Sequence, residues 1–280
     1  MNLIKRVVKT FIRRLILLTH GKSVGRYATA LILNESFNHT TTVVHLDTEL
    51  HFCTPNDISQ WRADSFSTKE PETLEWIDTI PVGSVLWDIG ANVGIYSVYA
   101  AKKRSCKVFA FEPSVFNLEL LARNIFINNL IQAITIIPLP LSDNLATSNL
   151  NMTSTTWGGA MSTFNQSYGH DGETMEKIFV IPTIGISMTD AVHLLRIPQP
   201  SHIKMDVDGI EHLILKGGIE VLSKTQSILI EINDEFIVQA DEARRYLIEA
   251  GFTLKEKRHS DIFNTVTTAA GHTYNQIWVK

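Results

Sequence analysis

The hydrophobic pattern of this chain changes character at Ser84. From there to the C-terminus, short apolar runs predict strands, at 85–89, 107–111, 133–139, 202–206, 226–232, 252–257 and 274–279. Between them, apolar residues at helical spacing predict helices, at 94–103, 114–129, 209–222 and 239–250. Buried strands that alternate with amphipathic helices form parallel sheets covered on both faces. The pattern therefore predicts a three-layer α/β fold with a mostly parallel sheet.

The part of the chain before Ser84 predicts a separate organisation. Apolar residues recur at helical spacing from Met1 to Thr19, residues 41–54 alternate like a hairpin or edge strands, and residues 71–80 predict a short helix. The acids of that short helix are expected on its solvent side: Glu72, Glu75 and Asp78. We therefore divide the chain into an N-terminal helix at 1–35, strands and a helix that precede the core at 36–82, and an α/β domain at 83–280.

The least regular part of the α/β domain is the stretch 144–177, which is rich in Ser, Thr, Asn and Gly. A loop of this length inside a compact domain is uncommon unless it closes over a ligand. Trp157 near its centre is followed by Gly158 and Gly159. The stretch is therefore predicted to be a lid or binding loop, or else a flexible surface insertion with Trp157 packed on the sheet.

Charge is distributed unevenly along the chain. The formal net charge is −4, yet no acidic residue precedes Glu35, while basic residues are frequent there: Lys5, Arg6, Lys9, Arg13, Arg14, Lys22 and Arg26. The N-terminal helix is thus basic and amphipathic. It either packs on the domain or on a second subunit of a homodimer, or residues 1–20 lie on an anionic membrane surface. Charges interrupt every apolar run, so neither a membrane span nor a signal peptide is predicted.

The two cysteines of the chain constrain its predicted cellular compartment and argue against metal or redox chemistry based on cysteine. The two cysteines, Cys53 and Cys106, lie far apart and form no metal-ligand or redox spacing. A disulfide framework is therefore not expected, and a reducing compartment is the default. The predicted location is the cytoplasm, with the inner face of the membrane as the alternative that the basic helix suggests.

The candidate chemistry begins where the first core strand ends. The run Asp88-Ile-Gly-Ala-Asn-Val-Gly94 places an acid and a glycine turn between a strand and a helix, and Glu112 ends the next strand. This order is typical of a nucleotide pocket, in which glycines admit the ligand and a carboxylate holds ribose hydroxyls. The pattern lacks the three glycines of a dinucleotide fingerprint, and Asp88 would repel a pyrophosphate. It suits the ammonium and sulfonium of S-adenosylmethionine better.

Two other functions stay open on these residues alone. A dinucleotide-dependent oxidoreductase would use the same strand and turn, and a non-catalytic nucleoside-binding module would keep both carboxylates without transferring a group. Four acids fall at or just after predicted strand ends, where ligands of such sheets bind: Asp88, Glu112, Asp143 and Asp206. Four acids at one edge of a sheet are hard to explain as solvated surface.

Four ordered motifs resemble one protein family. They are Asp88 to Gly94, then Ala110-Phe-Glu-Pro113, then Ile203-Lys-Met-Asp-Val-Asp-Gly209 with Glu211 and Leu215-Lys-Gly-Gly218, and then Ile228-Leu-Ile-Glu231. Together they resemble the FkbM family of S-adenosylmethionine-dependent class I methyltransferases over residues 70–235. The resemblance implies a seven-stranded Rossmann-like sheet whose last strand is antiparallel. The family usually has D-V-E-G where this chain has Asp206-Val-Asp-Gly209, which leaves the role of Asp208 open.

The resemblance implies a set of cofactor-binding residues. They are Asp88, Gly90, Ala91, Asn92, Gly94, Glu112, Pro113, Ser142 and Asp143. Asp88 and Gly90 are expected beside the methionine part of the cofactor and Glu112 at both ribose hydroxyls, which a carboxylate accepts well. Similar enzymes contact adenine after the third strand, which points to Ser142 and Asp143. A helix cap is an equal alternative for Asp143.

The candidate catalytic residues follow from the later strand ends. They are Lys204, Asp206, His212 and Glu231, with Asp206 as the first choice for the active-site acid. The expected reaction is in-line transfer of the methyl group to a hydroxyl, aided by alignment and a general base. No metal site is assigned. A divalent ion held by Asp206, Asp208 and Glu231 is an alternative that is not favoured.

The acceptor is constrained mainly by what the sequence lacks. The fourth core strand ends without the N/D-P-P-Y/F motif common in amino-group methylases, and no basic patch with interleaved aromatic residues follows. Nucleic acid is therefore not expected as the substrate. An O-methyltransferase acting on a sugar, a glycan or a secondary metabolite is the predicted function.

Overall fold

The computed structural model describes residues 3–258 and 272–280, with side chains described from residue 6 onward. The first two residues of the predicted N-terminal helix, and residues 259–271 between the two predicted closing strands, lie outside these ranges. In chain order the helices are α1 Leu3–His20, α2 Ser23–Asn38, α3 Asp57–Asp64, α4 Phe66–Lys69, α5 Pro71–Thr79, α6 Ile95–Arg104, α7 Val115–Ile127, α8 Met188–His193, α9 Glu211–Lys216, α10 Ile219–Lys224 and α11 Ile237–Glu249.

The strands fall into three sheets. They are β1 Thr40–His45, β2 Thr48–Cys53, β3 Val85–Ile89, β4 Lys107–Phe111, β5 Ile134–Ile137, β6 Ala146–Met152, β7 Ser162–Phe164, β8 Phe179–Gly185, β9 His202–Met205, β10 Ser227–Asn233, β11 Thr253–Arg258 and β12 Thr273–Val279. The central sheet has seven strands in the order β11-β12-β10-β9-β3-β4-β5. β12 is antiparallel to both of its neighbours, whereas β10, β9, β3, β4 and β5 pair in parallel. The predicted fold class is confirmed.

Alternation within the central strands sorts side chains onto two buried faces. In β3, Leu86 packs with one apolar cluster while Trp87 and Ile89 pack with the other. The first cluster joins the sheet to α5, α6 and α7, and the second joins it to α8, α9, α10 and α11. Asp88 lies on the same face as Leu86, where it meets α6 through Ser97. The predicted three layers follow from this pattern.

The N-terminal part differs from the single helix predicted at 1–35. It forms two helices, α1 and α2, which turn at residues 21–22. The predicted hairpin is present as β1 paired antiparallel with β2. Asn124 of α7 attaches this hairpin to the α/β domain, since its Oδ1 accepts the N–H of Cys53 at 2.7 Å and its Nδ2 donates to Val93 O at 2.7 Å.

The predicted irregular stretch 144–177 contains β6 and β7, which form a small antiparallel sheet with β8. The strand order is β7-β6-β8, so β6 pairs with β8, which follows the stretch. β8 contains Pro182, a residue that argues against a strand unless the strand lies at an edge. Here β8 is an edge strand, and Pro182 lies opposite Asn149. Trp157 packs edge-on against Phe37 of α2 at 4.8 Å.

The helix predicted at 209–222 is divided into α9 and α10 at Gly217 and Gly218. Both glycines admit close neighbours. A Cβ at Gly217 would lie 2.6 Å from Ser142 O, and a Cβ at Gly218 would overlap Met188. The break therefore lets the chain at 142–143 and helix α8 approach this point of the sheet.

Replacing Asn124 with Ala should destabilise the fold. Asn124 is fully buried, and the substitution leaves the N–H of Cys53 and the carbonyl of Val93 without partners. Each unsatisfied buried group costs about 1–3 kcal/mol, so the free energy of unfolding should fall by several kcal/mol in urea titrations. The exposed Asn149 provides the matched Asn→Ala control. Equal midpoints for the two variants would contradict this account of how the hairpin is attached.

Candidate active site

Two pockets adjoin at the carboxyl ends of the central strands. The first has an empty volume of about 550 Å³ and the second about 910 Å³. They share five lining residues: Gly90, Asn92, Ala160, Asp206 and Asp208. The first pocket extends over β4 and the chain after β5. Its walls include the polar residues Glu112 and Asn117 and the apolar residues Leu139, Pro140 and Leu141. The second extends over β10 and β12 toward Arg62, Lys69, Glu70, Glu72, Glu231 and Asn275.

The turn after β3 requires glycine. Gly90 has φ +81°, and a Cβ there would overlap the backbone oxygen of Asp206. Gly94 has φ +80°, and a Cβ there would overlap Leu121 of α7. The backbone N–H groups of Gly90 and Ala91 both donate to Phe111 O at 3.0 Å, which ties the turn to the end of β4. Only residues without a side chain permit the strand ends to approach this closely.

Glu112 lies at the floor of the first pocket. Its Oε2 accepts the N–H of Asn92 at 2.8 Å, and its Oε1 accepts the N–H of Ser114 at 2.8 Å. Burial raises the pKa of Glu112 to about 7 in spite of these hydrogen bonds. A carboxylate has about four acceptor positions, so further hydroxyl donors can bind the same group. Pro113 also lines this pocket.

A buried ion triad lies beneath the junction of the two pockets. The Nζ of Lys204 is 3.8 Å from Asp88 Oδ1 and 3.3 Å from Asp206 Oδ2. Asp88 also accepts a hydrogen bond from Ser97 Oγ at 2.6 Å, whereas its Oδ1 has no hydrogen-bond partner. Burial opposes the charge on Lys204, but Asp206, Asp88 and Glu70 hold its pKa above the usual value. Of the three, Asp206 alone lines the pockets.

The second pocket is rich in carboxylates. Burial, followed by the carboxylates of Asp206 and Glu70, raises the pKa of Glu231 well above its ordinary value. Glu70 differs because Lys69 and then Lys204 outweigh its burial and lower its pKa to about 2. Glu72 was expected on the solvent side of α5, but it is 1% exposed. Its Oε1 accepts from Asn275 Nδ2 at 2.8 Å, and its Oε2 has no hydrogen-bond partner.

Asp208 joins the small sheet to the site. Its Oδ2 accepts the N–H groups of Met161 at 2.8 Å and Ser162 at 3.1 Å. Asp208 has φ +62°, a left-handed conformation in which Asp is several-fold enriched over most other residues. This backbone requirement gives a physical reason for the shorter acid here. Glu211 supports the same turn from below by accepting the N–H groups of Val207 and Gly209 at 3.1 Å each.

The segment 157–160 forms a roof over the pockets. Gly159 O accepts from Asn92 Nδ2 at 2.9 Å and from Asn117 Nδ2 at 3.1 Å, and Gly158 N donates to Asn117 Oδ1 at 3.0 Å. From the second pocket, Arg62 donates to Gly158 O through Nε at 3.0 Å and through a terminal nitrogen at 2.8 Å. The roof is thus held from both sides.

Six of the thirteen residues singled out from the sequence line the two pockets: Gly90, Asn92, Glu112, Pro113, Asp206 and Glu231. Four more lie in β3, in the turn that follows it or in β9 without lining either pocket: Asp88, Ala91, Gly94 and Lys204. The other three have different surroundings. Asp143 pairs with Lys216 at 3.0 Å, and Ser142 N donates to Ile186 O; neither lines the two pockets. The chain passes the first pocket slightly earlier, at 139–141. His212 is buried beside Phe236 and also lines neither pocket, and burial lowers its pKa. Ser142, Asp143 and His212 thus lie apart from the two pockets.

Several lining residues had no signal in the sequence. Asn117 looks like an ordinary polar helix residue, and Arg62 lies on a short polar helix far from the strand motifs. Glu70 and Glu72 flank the proline that begins α5, where acids commonly serve only the helix dipole. Within residues 3–258 and 272–280, no group of three or more His, Cys, Asp or Glu side chains is arranged to hold a metal ion.

Comparison with known proteins identifies the family. The family described as the methyltransferase FkbM domain matches residues 88–254, which is more than half of the 280-residue chain. The chain belongs to the FkbM methyltransferase family. The match begins at Asp88 and includes the glycine turn, Glu112, Asp206 and Glu231. It excludes α1–α5 and β12, so the FkbM domain of this protein is completed by elements from both sides.

Two curated relatives are methyltransferases by name. The hexuronic acid methyltransferase AglP of Haloferax volcanii is 27% identical over 173 residues, 62% of this chain and 66% of that protein. The methyltransferase sdnD of Sordaria araneosa is 31% identical over 72 residues, 25% of this chain and 28% of that protein. The FkbM protein described here thus spans slightly less than two thirds of the length of the first relative.

Solved structures give more distant likenesses. A precorrin-6y C5,15-methyltransferase from Geobacter metallireducens has a TM-score of 0.44 and 13% identity, covering 75% of this chain and 86% of that one. An rRNA methylase from Streptococcus thermophilus has a TM-score of 0.45 and 14% identity, covering 75% and 94%. The fold of this FkbM protein is established by its own strand order and by the family match.

Substituting Asp208 with Ala should loosen the small sheet where it meets the site. The substitution removes the acceptor for the N–H groups of Met161 and Ser162. Amide hydrogen exchange at these two positions should become faster, because exchange follows local opening. Asp171→Ala is the matched control, since Asp171 accepts a comparable hydrogen bond from the N–H of Glu173, at 3.0 Å, and lines neither pocket. Unchanged exchange at 161 and 162 would argue against this role.

Proposed function

We propose that this methyltransferase uses S-adenosylmethionine to methylate a hydroxyl of a sugar, a glycan or a secondary metabolite. The nucleoside of the donor occupies the first pocket and the acceptor enters the second. The observation that carries the proposal is the shared wall between them. Gly90, Asn92 and Asp206 border both pockets, so one elongated ligand can reach from Glu112 to the acid-rich side.

The chemistry of the lining residues supports this donor. Glu112 keeps acceptor capacity for two ribose hydroxyls, and the apolar wall at 139–141 suits a purine ring. Asp206 at the junction and the carboxylates beyond it favour a sulfonium, whereas they would repel a pyrophosphate. Gly90 supplies the close backbone approach that an added Cβ would prevent. Asp88 contributes from below, by holding Lys204 rather than by lining the pocket.

The proposed transfer is a direct displacement. The acceptor oxygen forms a bond to the donor methyl carbon while the bond from that carbon to sulfur breaks, and the hydroxyl proton leaves to a base. Two carboxylates border both pockets, Asp206 and Asp208. Asp208 already accepts the N–H groups of Met161 and Ser162, so we assign the acceptor hydroxyl and its proton to Asp206. Lys204, 3.3 Å away, fixes the orientation of Asp206. Alignment of this kind is worth up to about 7–11 kcal/mol and a general base about 10²–10⁴-fold.

The acceptor class rests on the composition of the second pocket. Carboxylate and amide side chains such as Glu72 and Asn275 bind hydroxyl-rich molecules well, because each oxygen or nitrogen can pair with a sugar hydroxyl. AglP, one of the relatives, acts on a hexuronic acid by its name. Both observations favour a sugar acceptor over nucleic acid for this chain.

We also propose that α1 lies on an anionic membrane surface. Its apolar residues are largely exposed, with Phe11 at 66%, Leu17 at 79% and Leu18 at 78% of their accessible area. Basic side chains such as Arg13 and Arg14 lie among them. An amphipathic basic helix with these features suits the boundary between headgroups and acyl chains. None of the helices in the described ranges is both long and apolar enough to cross a membrane.

Affinity for S-adenosylhomocysteine should rise with pH through Glu112. Its pKa of about 7 in the free protein means that the carboxylate is mostly neutral at pH 6, and ribose hydroxyls donate to the ionised form. The dissociation constant should therefore fall by about tenfold between pH 6 and pH 8. Calorimetry at several pH values measures it. Glu112→Gln should weaken binding at pH 8 and flatten the profile; an unchanged profile in that variant would remove Glu112 from the contact.

The acceptor is tested by mass spectrometry of cellular glycans and small metabolites, in cells with the enzyme and in cells with the Asp206→Asn variant. The proposal predicts molecules that carry one additional CH₂ group only when the wild-type enzyme is present. The variant should retain S-adenosylhomocysteine affinity and lose methyl transfer by about 10²-fold or more. Identical methylation in both cell types would contradict the role of Asp206.

Membrane binding is tested by flotation with vesicles of phosphatidylcholine and phosphatidylglycerol. The full chain should float with vesicles that contain phosphatidylglycerol, and added salt should reduce the recovery because the attraction is partly electrostatic. Replacing both Phe11 and Leu15 with Asp should abolish flotation. Ile131→Asp, at an equally exposed apolar position of the α/β domain, is the control. If the double variant floats as well as the control, the helix contacts something other than lipid.

A further inference from the structure

The second pocket contains charges of both signs, of which the proposed function uses Asp206 and Glu72. Its carboxylates are Glu70, Glu72, Asp206, Asp208 and Glu231, and its cations are Arg62 and Lys69. Lys69 is already paired with Glu70. Arg62 instead donates to the backbone oxygen of Gly158. A guanidinium held by a backbone oxygen, in the same pocket as Glu231, is an arrangement for a ligand that carries both charges.

Arg62 is held in place by the roof and not by an acid. Two of its N–H groups donate to Gly158 O, at 3.0 and 2.8 Å. A guanidinium has five N–H donors in a planar fork, so three remain for a ligand. Neighbouring Gly159 is bound by Asn92 and Asn117, which border the nucleoside pocket. The segment that closes the first pocket therefore also sets the position of Arg62 in the second.

On the acidic side of the same pocket, Lys69 pairs with Glu70 and Lys204 pairs with Asp206, and Glu231 lies beside both carboxylates. Glu231 follows the residues of β10 that pair with β9, and its burial, followed by the carboxylates of Asp206 and Glu70, raises its pKa well above normal. An added positive charge among these three groups would relieve their mutual repulsion. A primary ammonium has three donors and fits a cluster of oxygen acceptors.

A nucleoside in the first pocket must send the rest of its donor past Gly90 and Asp206, since these residues border both pockets. In S-adenosylmethionine, that remainder ends in an α-amino acid, which is a zwitterion. We propose that Arg62 binds the carboxylate of this amino-acid end, while Glu231 and Glu70 face its ammonium. The inference rests on the proposed function and assigns the donor's polar end to residues that lie partly outside the matched family domain.

This placement leaves the β12 side of the pocket for the acceptor. Asn275 lies opposite Glu231 on the neighbouring strand and holds Glu72, whose Oε2 has no partner. Two strand spacings separate β12 from β9, which places the Glu72–Asn275 pair roughly 10 Å from Asp206 across the sheet. An acceptor whose reactive hydroxyl lies at Asp206 would thus reach Glu72 with a second polar group.

Calorimetric titration with two ligands tests the assignment. S-adenosylhomocysteine carries the amino-acid end, and 5′-methylthioadenosine lacks it but shares the nucleoside. Arg62→Gln should weaken the binding of S-adenosylhomocysteine by about 10–100-fold, the range for a charge-assisted hydrogen bond. It should leave the affinity for 5′-methylthioadenosine within about twofold of the wild-type value. Arg104→Gln is the matched control, since Arg104 also donates to a backbone oxygen, Ile80 O at 2.6 Å, but lines neither pocket. It should change neither affinity.

A third ligand separates the two charges. Decarboxylated S-adenosylmethionine keeps the ammonium and lacks the carboxylate. Arg62→Gln should therefore leave its affinity unchanged, whereas Glu231→Gln should lower it. The inference would be overturned if Arg62→Gln lost the same affinity for every ligand, or lost affinity for none. In either case, binding of S-adenosylhomocysteine by the wild type would still support the proposed function. If the wild type binds 5′-methylthioadenosine as tightly as S-adenosylhomocysteine, the subsite does not exist. If it binds neither, the proposed function itself fails.

Discussion

The ammonium of Lys204, buried between Asp88 and Asp206, is the interaction on which the arrangement of the site depends. Lys204 and Asp88 are almost inaccessible to water, and Asp206 reaches the surface of both pockets. Removing one partner of a buried ion pair costs about 3–5 kcal/mol, because the other charge is then left uncompensated. Asp88 therefore serves the pocket indirectly. It stabilises the cation that fixes Asp206, and it joins β3 to β9 at the level where the ligand binds.

Residues outside the range that matches the FkbM family also line the site. Arg62 of α3, Glu70 before α5 and Glu72 within it reach the same pocket as Asn275 of β12. The segment 157–160, between β6 and β7, adds the roof, which Asn92, Asn117 and Arg62 hold by hydrogen bonds. Asp208 holds the neighbouring N–H groups of Met161 and Ser162. The strand ends thus provide the floor of the site, and the elements around them provide its walls.

The features predicted from the sequence are those with a local cause. The glycine turn after β3 and Glu112 at the end of β4 have short-range patterns, and the structure places them at the first pocket. The small sheet was not predicted because its strands pair across long separations and Pro182 disguises an edge strand. Glu72 was expected in solvent because a helical pattern does not reveal which neighbours cover an acid. Ser142, Asp143 and His212 have side-chain directions set by tertiary packing, which strand ends alone do not determine.

The most direct test of the central claim is equilibrium binding of the wild-type protein to S-adenosylhomocysteine and, separately, to NAD. A rim of carboxylates around one glycine turn should favour the ligand without a pyrophosphate. The account predicts saturable one-site binding of S-adenosylhomocysteine and no saturable binding of NAD at the same concentrations. Saturable binding of NAD without binding of S-adenosylhomocysteine would contradict it.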